Sequence, residues 1–155
     1  MRYLFLDIDG VLNTYEYIWS PESKTAPVAS YLEFHAQKIE TDKVQILNRI
    51  LEEIGAVVVV SAALRVGHSK EELQDILNLA GFTGKIVGKT PSLWCRRRGQ
   101  EILHWMGTHG VEPDEAVILE DEVVDQDLTC DMLVKVNMKT GLQESHVQEV
   151  VDLFK

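Results

Sequence analysis

Residues 56–60 read Ala-Val-Val-Val-Val. A run of β-branched side chains with no polar break fits a strand covered on both faces, because branched side chains are stiff in extended backbone and none of them turns toward water. Other apolar runs mark further strands at Arg2–Leu6, Lys85–Val87, Ala116–Leu119 (AVIL) and Met132–Val136. Between them lie helical patterns. Asp42–Ile54 places Val44, Leu47, Ile50, Leu51 and Ile54 on one stripe, and Gly55 stops it. Ser69 and Glu72 have the spacing of a capping box that opens a helix through Leu79. Residues 97–108 and 142–154 read as two more helices, the last with Thr140 and Gln143 spaced as its cap.

The order β-α-β-α-β-α-β-β-α predicts an α/β protein, a three-layer Rossmann-like parallel sheet with helices on both faces. With 155 residues the chain is the size of one domain. Residues 13–41 break the alternation. They carry Pro21 and Pro27 and the aromatics Tyr15, Tyr17, Trp19, Tyr31 and Phe34, too aromatic for a disordered linker. We read them as a flap whose aromatics chiefly pack it; of these, Tyr15 or Tyr17 is favoured for any contact with substrate, by closeness to Asp7 and Asp9.

Ligands of such sheets bind outside the carboxyl ends of the strands. Asp7 and Asp9 follow the first strand, Ser61 and Arg65 the second, Gly88-Lys89-Thr90-Pro91 the third, and Glu120, Asp121, Glu122 and then Asp125 the fourth. Two carboxylates as close as Asp7 and Asp9 repel unless a cation lies between them or one holds a proton. Carboxylates from two strands suit Mg²⁺, a hard cation that keeps water and substrate phosphate in its shell. A carboxylate also serves as a nucleophile toward phosphorus, and a second one protonates the leaving oxygen and then activates water. Ser61 and a Lys or Arg would hold the phosphoryl oxygens. This chemistry is phosphoryl transfer.

Net charge is −10, which disfavours a large polyanion-coating surface; Arg96, Arg97 and Arg98 form the single basic run. Cys95 and Cys130 make no framework or metal motif. With no apolar span and no signal-peptide pattern, the expected location is cytoplasmic, without membrane partners. His35, His68, His104, His109 and His146 have no metal-ligand spacing and read as surface or helix-face residues.

FLDIDGVLN resembles the first motif of the haloacid dehalogenase-like (HAD) superfamily. VVVVSAALR resembles its second motif, a strand ending in Ser or Thr; RRRGQEI its basic third; and VILEDEVVD its acidic fourth. GKTP (88–91) and RGQEI (98–102) resemble the short HAD domains of multi-enzyme RNA-repair proteins. The resemblance implies a HAD-like core with a minimal cap or none. It makes Asp7 nucleophile and metal ligand, Asp9 general acid/base with its main-chain carbonyl on the metal, and Ser61 a phosphate ligand. Arg98 or Lys89 becomes the basic stabiliser, with Arg98 first because RGQEI opens the helix ahead of the fourth strand. Asp121, with Glu120, supplies the fourth-motif metal ligands, and Asp121 with Asp125 also fits a DxxxD version. The chain departs from that pattern at Glu120, where Asp is usual, and at Ala62, Ala63 and Leu64, which replace Ser, Ser and Trp. The implied activity is Mg²⁺-dependent hydrolysis of a phosphate monoester, a polynucleotide end or nucleotide, at an open site. A non-catalytic phosphate-binding module and a receiver-like signalling domain stand beside it, the latter without the acidic residue it needs after the third strand.

Overall fold

The computed structural model describes residues 1–24, 30–93, 97–122, 129 and 131–155. Pro27, Cys95, Arg96, Asp125 and Cys130, discussed above, lie outside the described residues. Five parallel strands form one sheet in the order β3-β2-β1-β4-β5. They are β1 (Arg2–Leu6), β2 (Ala56–Val60), β3 (Ile86–Lys89), β4 (Ala116–Glu120) and β5 (Leu133–Lys135). The third strand starts one residue later than Lys85 and runs on to Lys89, and the fifth is one residue shorter at each end than its apolar run. Among the described residues the main helices are α3 (Thr41–Ile54), α4 (Lys70–Leu79), α5 (Arg98–His109) and α6 (Glu144–Leu153). Two short helices, α1 (Tyr15–Ile18) and α2 (Tyr31–Ala36), lie between β1 and α3.

Punctuation residues end the elements where their chemistry requires. Gly55 takes a positive φ of 63° and its N–H closes α3 on the Leu51 carbonyl at 2.9 Å. The Ser69–Glu72 box is present in both directions, at 3.0 and 3.1 Å. The cap of α6 differs from expectation. Gln143 is the capping residue, and its N–H donates to His146 Nδ1 at 2.9 Å; Thr140 instead turns back to the Asn137 carbonyl, three residues too early to reach the helix.

Strand side chains alternate between faces. Leu4, Leu6, Val58, Val60, Val117 and Leu119 enter one core beneath α3, α4 and α6. Phe5, Val59 and Ile118 enter the other with Ile102, Trp105 and Met106 of α5. This parity decides which side the rim residues take. Asp7 continues the Phe5 face, Ser61 the Val59 face and Glu120 the Ile118 face, so all three fall on the α5 side. Among the described residues no helix is long and apolar enough to cross a membrane.

Candidate active site

Strand order reverses between β1 and β4, and open α/β sheets bind ligands at such a switch point. Asp7 and Glu120 stand at its two sides. The Asp7 N–H still donates to the Leu119 carbonyl at 3.1 Å, which fixes the nucleophile candidate as an extension of the sheet. Asp7, Glu120 and Asp121 each offer a carboxylate oxygen within 4.8 Å of the others. The turn after β1 makes this possible. Gly10 has a φ of +85°, and a Cβ there would lie 2.7 Å from Asp121 Cγ, closer still to Oδ2. Only glycine lets Asp121 approach the main chain of the first motif.

The acidic cluster is compensated from α5. Arg98, its first residue, lies 3.1 Å from Asp7 Oδ1 and 2.8 Å from Glu120 Oε2. Burial pulls the Arg98 guanidinium down, but Asp7 and Glu120 outweigh it and hold it above its ordinary value. One guanidinium does not balance the buried pair. Burial first, then the Glu120 carboxyl, push Asp7 up to about 10, and burial also raises Glu120. The pair therefore holds a proton at neutral pH unless a further cation replaces it. Three hard oxygen donors crowded in this way suit Mg²⁺, so the residues fit the expected metal.

Ser61 lies one strand away, its N–H on the Leu6 carbonyl at 2.9 Å. Its side chain is wholly buried, and its Oγ has no hydrogen-bond partner. A buried hydroxyl without a protein partner is costly and calls for one, from a ligand oxygen or from water.

The side chains of Lys89 and Asp9 lie outside this three-carboxylate cluster. Lys89 Nζ donates to the carbonyls of Arg65 and His68, at 3.1 and 2.6 Å, so the ammonium braces the loop after β2 while Arg98 serves the carboxylates. The Asp9 side chain is exposed and outside the three-carboxylate cluster. It borders a separate cavity of about 190 Å³ with Ile8, Asn13, His35, Lys38, Ile39, Ala62 and Leu64. Asn13 pins this turn: its Oδ1 accepts from Gly10, and its Nδ2 donates to Asp9 Oδ1 and the Lys38 carbonyl. Tyr17 does not line the cavity; its hydroxyl donates to the Gln37 carbonyl and ties α1 to α2. Tyr15 is exposed and packs edge-on against Trp19.

Glu101 is a residue that sequence reasoning passed over. Arg65 Nη2 lies 2.8 Å from Glu101 Oε1, and both are buried. Arg65 also donates to the carbonyls of Ser61, Ala62 and Thr90. Glu101 Oε2 accepts the Leu93 N–H at 2.7 Å. The arginine of SAALR, the loop after GKT and the glutamate of RGQEI thus form one buried knot behind Ser61 and Arg98. The i, i+3 spacing of Arg98 and Glu101 was the available signal, since it puts them on neighbouring positions of one helix.

A parallel α/β sheet with acidic side chains gathered from two strands at its switch point, a buried serine on the neighbouring strand and an arginine paired with the acids is the Rossmann-like arrangement expected of a HAD-like core. Residues 3–147 match the family model for the HAD domain in Swiss Army Knife RNA repair proteins. The chain belongs to that family. No curated protein and no solved structure matches it.

Proposed function

We propose that this protein is a Mg²⁺-dependent phosphate monoester hydrolase working through an aspartyl-phosphate, and that its substrates are polynucleotide ends or nucleotides. The observation that carries the reading is the convergence of Asp7, Glu120 and Asp121 within 4.8 Å, next to Arg98 and an unpartnered Ser61 hydroxyl. The family's link to RNA repair supports the substrate class.

Asp7, Asp121 and Glu120, with the main-chain carbonyl of Asp9, would hold the metal. Bound Mg²⁺ would neutralise the crowded carboxylates and draw charge from the phosphoryl oxygens. Asp7 attacks phosphorus as a carboxylate, forming an Oδ–P bond as the P–O bond to the leaving group breaks. Asp9 gives its proton to the leaving oxygen. In the second half Asp9, now a carboxylate, takes a proton from water as that water attacks phosphorus. Phosphate leaves and Asp7 is regenerated. Ser61 and Arg98 hold the phosphoryl oxygens in both halves.

The test is turnover of an aryl phosphate, nucleotides and 3′- and 5′-phosphorylated oligonucleotides with Mg²⁺, for wild type and Asp7→Asn in parallel. Hydrolysis by wild type alone, with an acid-stable, hydroxylamine-labile phosphoryl label on the protein, is the expected result. Phosphate binding without turnover of any substrate favours the non-catalytic module, a reading motivated by the Arg98 guanidinium already paired with Asp7.

A further inference from the structure

The position of Asp9 fixes the direction in which the leaving group must lie. A general acid has to reach the leaving oxygen. With Asp9 as the acid of the mechanism proposed above, the leaving group of a phosphoryl group on Asp7 points toward Asp9, and the 190 Å³ cavity that Asp9 borders is the space available to it. What lines the cavity then describes the leaving group.

One wall is apolar, built by Ile39 from the segment before α3 and by Ala62 and Leu64 from the turn after β2. A polyol set against it would lose water contacts from its hydroxyls without replacement, whereas the face of a ring would not. His35 and Lys38 line the same cavity. The His35 Nε2 is buried and has no hydrogen-bond partner. Burial, then His68 and Lys38, lower its pKa against a weaker pull from Asp9, so the ring is neutral and free to donate or accept one bond. Its orientation is set by its neighbours: Tyr31 and His68 meet it edge-on at 4.6 and 4.9 Å between ring centres. Lys38 has its ammonium 4.8 Å above the Phe34 ring. Among the described residues no carboxylate pairs with it, which leaves an uncompensated positive charge in the lining of the cavity.

We propose that the cavity between Asp9, His35 and Lys38 is the leaving-group subsite, and that it selects a ring-bearing leaving group that carries its own negative charge, with His35 and Lys38 as the selecting residues. The proposal rests on the hydrolase reading above for the placement of the phosphoryl group. Ring stacking and a hydrogen bond at His35 account for the ring; Lys38 accounts for the charge.

Three substrates separate the elements: adenosine 3′,5′-bisphosphate has ring and second charge, adenosine 5′-monophosphate has the ring alone, and glycerol 3-phosphate has neither. The expected order of kcat/KM follows that sequence, with about a tenfold step at each stage. Lys38→Met removes the advantage of the bisphosphate over the monophosphate. His35→Ala lowers kcat/KM for both adenosine substrates about tenfold more than for glycerol 3-phosphate, and His35→Asn restores part of the difference. Should His35→Ala fail to fold, Lys38→Met, at a half-buried position, keeps the test. A readout free of turnover uses the Asp7→Asn protein, with the imidazole signals of His35 followed by NMR as adenosine 3′,5′-bisphosphate is added. A shift there with no turnover by wild type would sink the hydrolase reading, and with it the leaving-group role, while showing that the cavity binds the ring-bearing bisphosphate. Hydrolysis with no preference among the three substrates and no His35 shift would overturn the subsite and leave the hydrolase.

Discussion

The guanidinium of Arg65 lies 2.8 Å from the carboxylate of Glu101, and both groups are buried behind the rim. A buried pair contributes little against a well-packed apolar pair, but breaking it strands a charge. Glu101→Ala is therefore expected to cost about 3–5 kcal/mol in urea unfolding. The double variant Arg65→Met/Glu101→Leu should recover most of that loss, because it removes both charges together. A single variant that unfolds at the wild-type midpoint would show that the carbonyls of Ser61, Ala62 and Thr90 satisfy Arg65 without Glu101.

Asp7 gives a pH prediction. Its folded pKa lies above the ordinary 3.8, pushed up to about 10 by burial and then by Glu120. Such a group holds its proton more tightly when folded. Its contribution to stability is full below the ordinary carboxylate pKa and drains as pH rises toward the folded value, by up to about 1.4 kcal/mol per pH unit. Asp7→Asn carries no proton to lose. In chelator at pH 8 the variant is expected to be more stable than wild type by about 1–3 kcal/mol, with the gap closing toward pH 4. Mg²⁺ should raise the wild-type Tm more than the variant's, as the cation takes the place of the proton. Equal melting of the two proteins in chelator at pH 8 would contradict the crowding of Asp7 and Glu120.

Ser61 separates binding from folding. Its Oγ is buried with no partner, so Ser61→Ala removes an unsatisfied hydroxyl and should leave stability within about 1 kcal/mol of wild type, or raise it. The same change removes a donor to phosphoryl oxygen. Inorganic phosphate, titrated with Mg²⁺ present, should bind about ten- to hundredfold more weakly. Phosphate binding equal to wild type would take Ser61 out of the site.

These residues were not equally legible in the chain. Strands β1, β2 and β4 are short apolar runs that end at a charge or hydroxyl, so their ends and the rim residues Asp7, Ser61, Glu120 and Asp121 could be read from the local pattern. Arg98 was reached through its helix start. Lys89 could be ranked behind it but not set aside, because both are cations between the second and fourth strands, and only the fold sends the Lys89 ammonium to the carbonyls of Arg65 and His68. The Arg65–Glu101 pair spans 36 positions and has no periodic signature. His35 and Lys38 reach Asp9 across an insert whose aromatic residues drew attention to Tyr15 and Tyr17 instead. What failed to show was long-range pairing of side chains, which no local period encodes.

Gly10 and Gly67 offer a matched comparison. Both have a left-handed φ, +85° and +84°, but a Cβ on Gly67 meets nothing within 4 Å, whereas one on Gly10 runs into Asp121. Gly67→Ala should show backbone strain alone, about 1–2 kcal/mol, with the Mg²⁺ titration of wild type. Gly10→Ala carries the same strain and must also displace the Asp121 carboxylate. Its Mg²⁺ affinity is expected to fall about ten- to hundredfold, the range seen when the surroundings of a metal ligand are disturbed. Calorimetric titration of both variants with Mg²⁺ decides the matter. If they bind the ion equally well, Asp121 is no ligand, and the acidic cluster reduces to Asp7 and Glu120 with Arg98 between them.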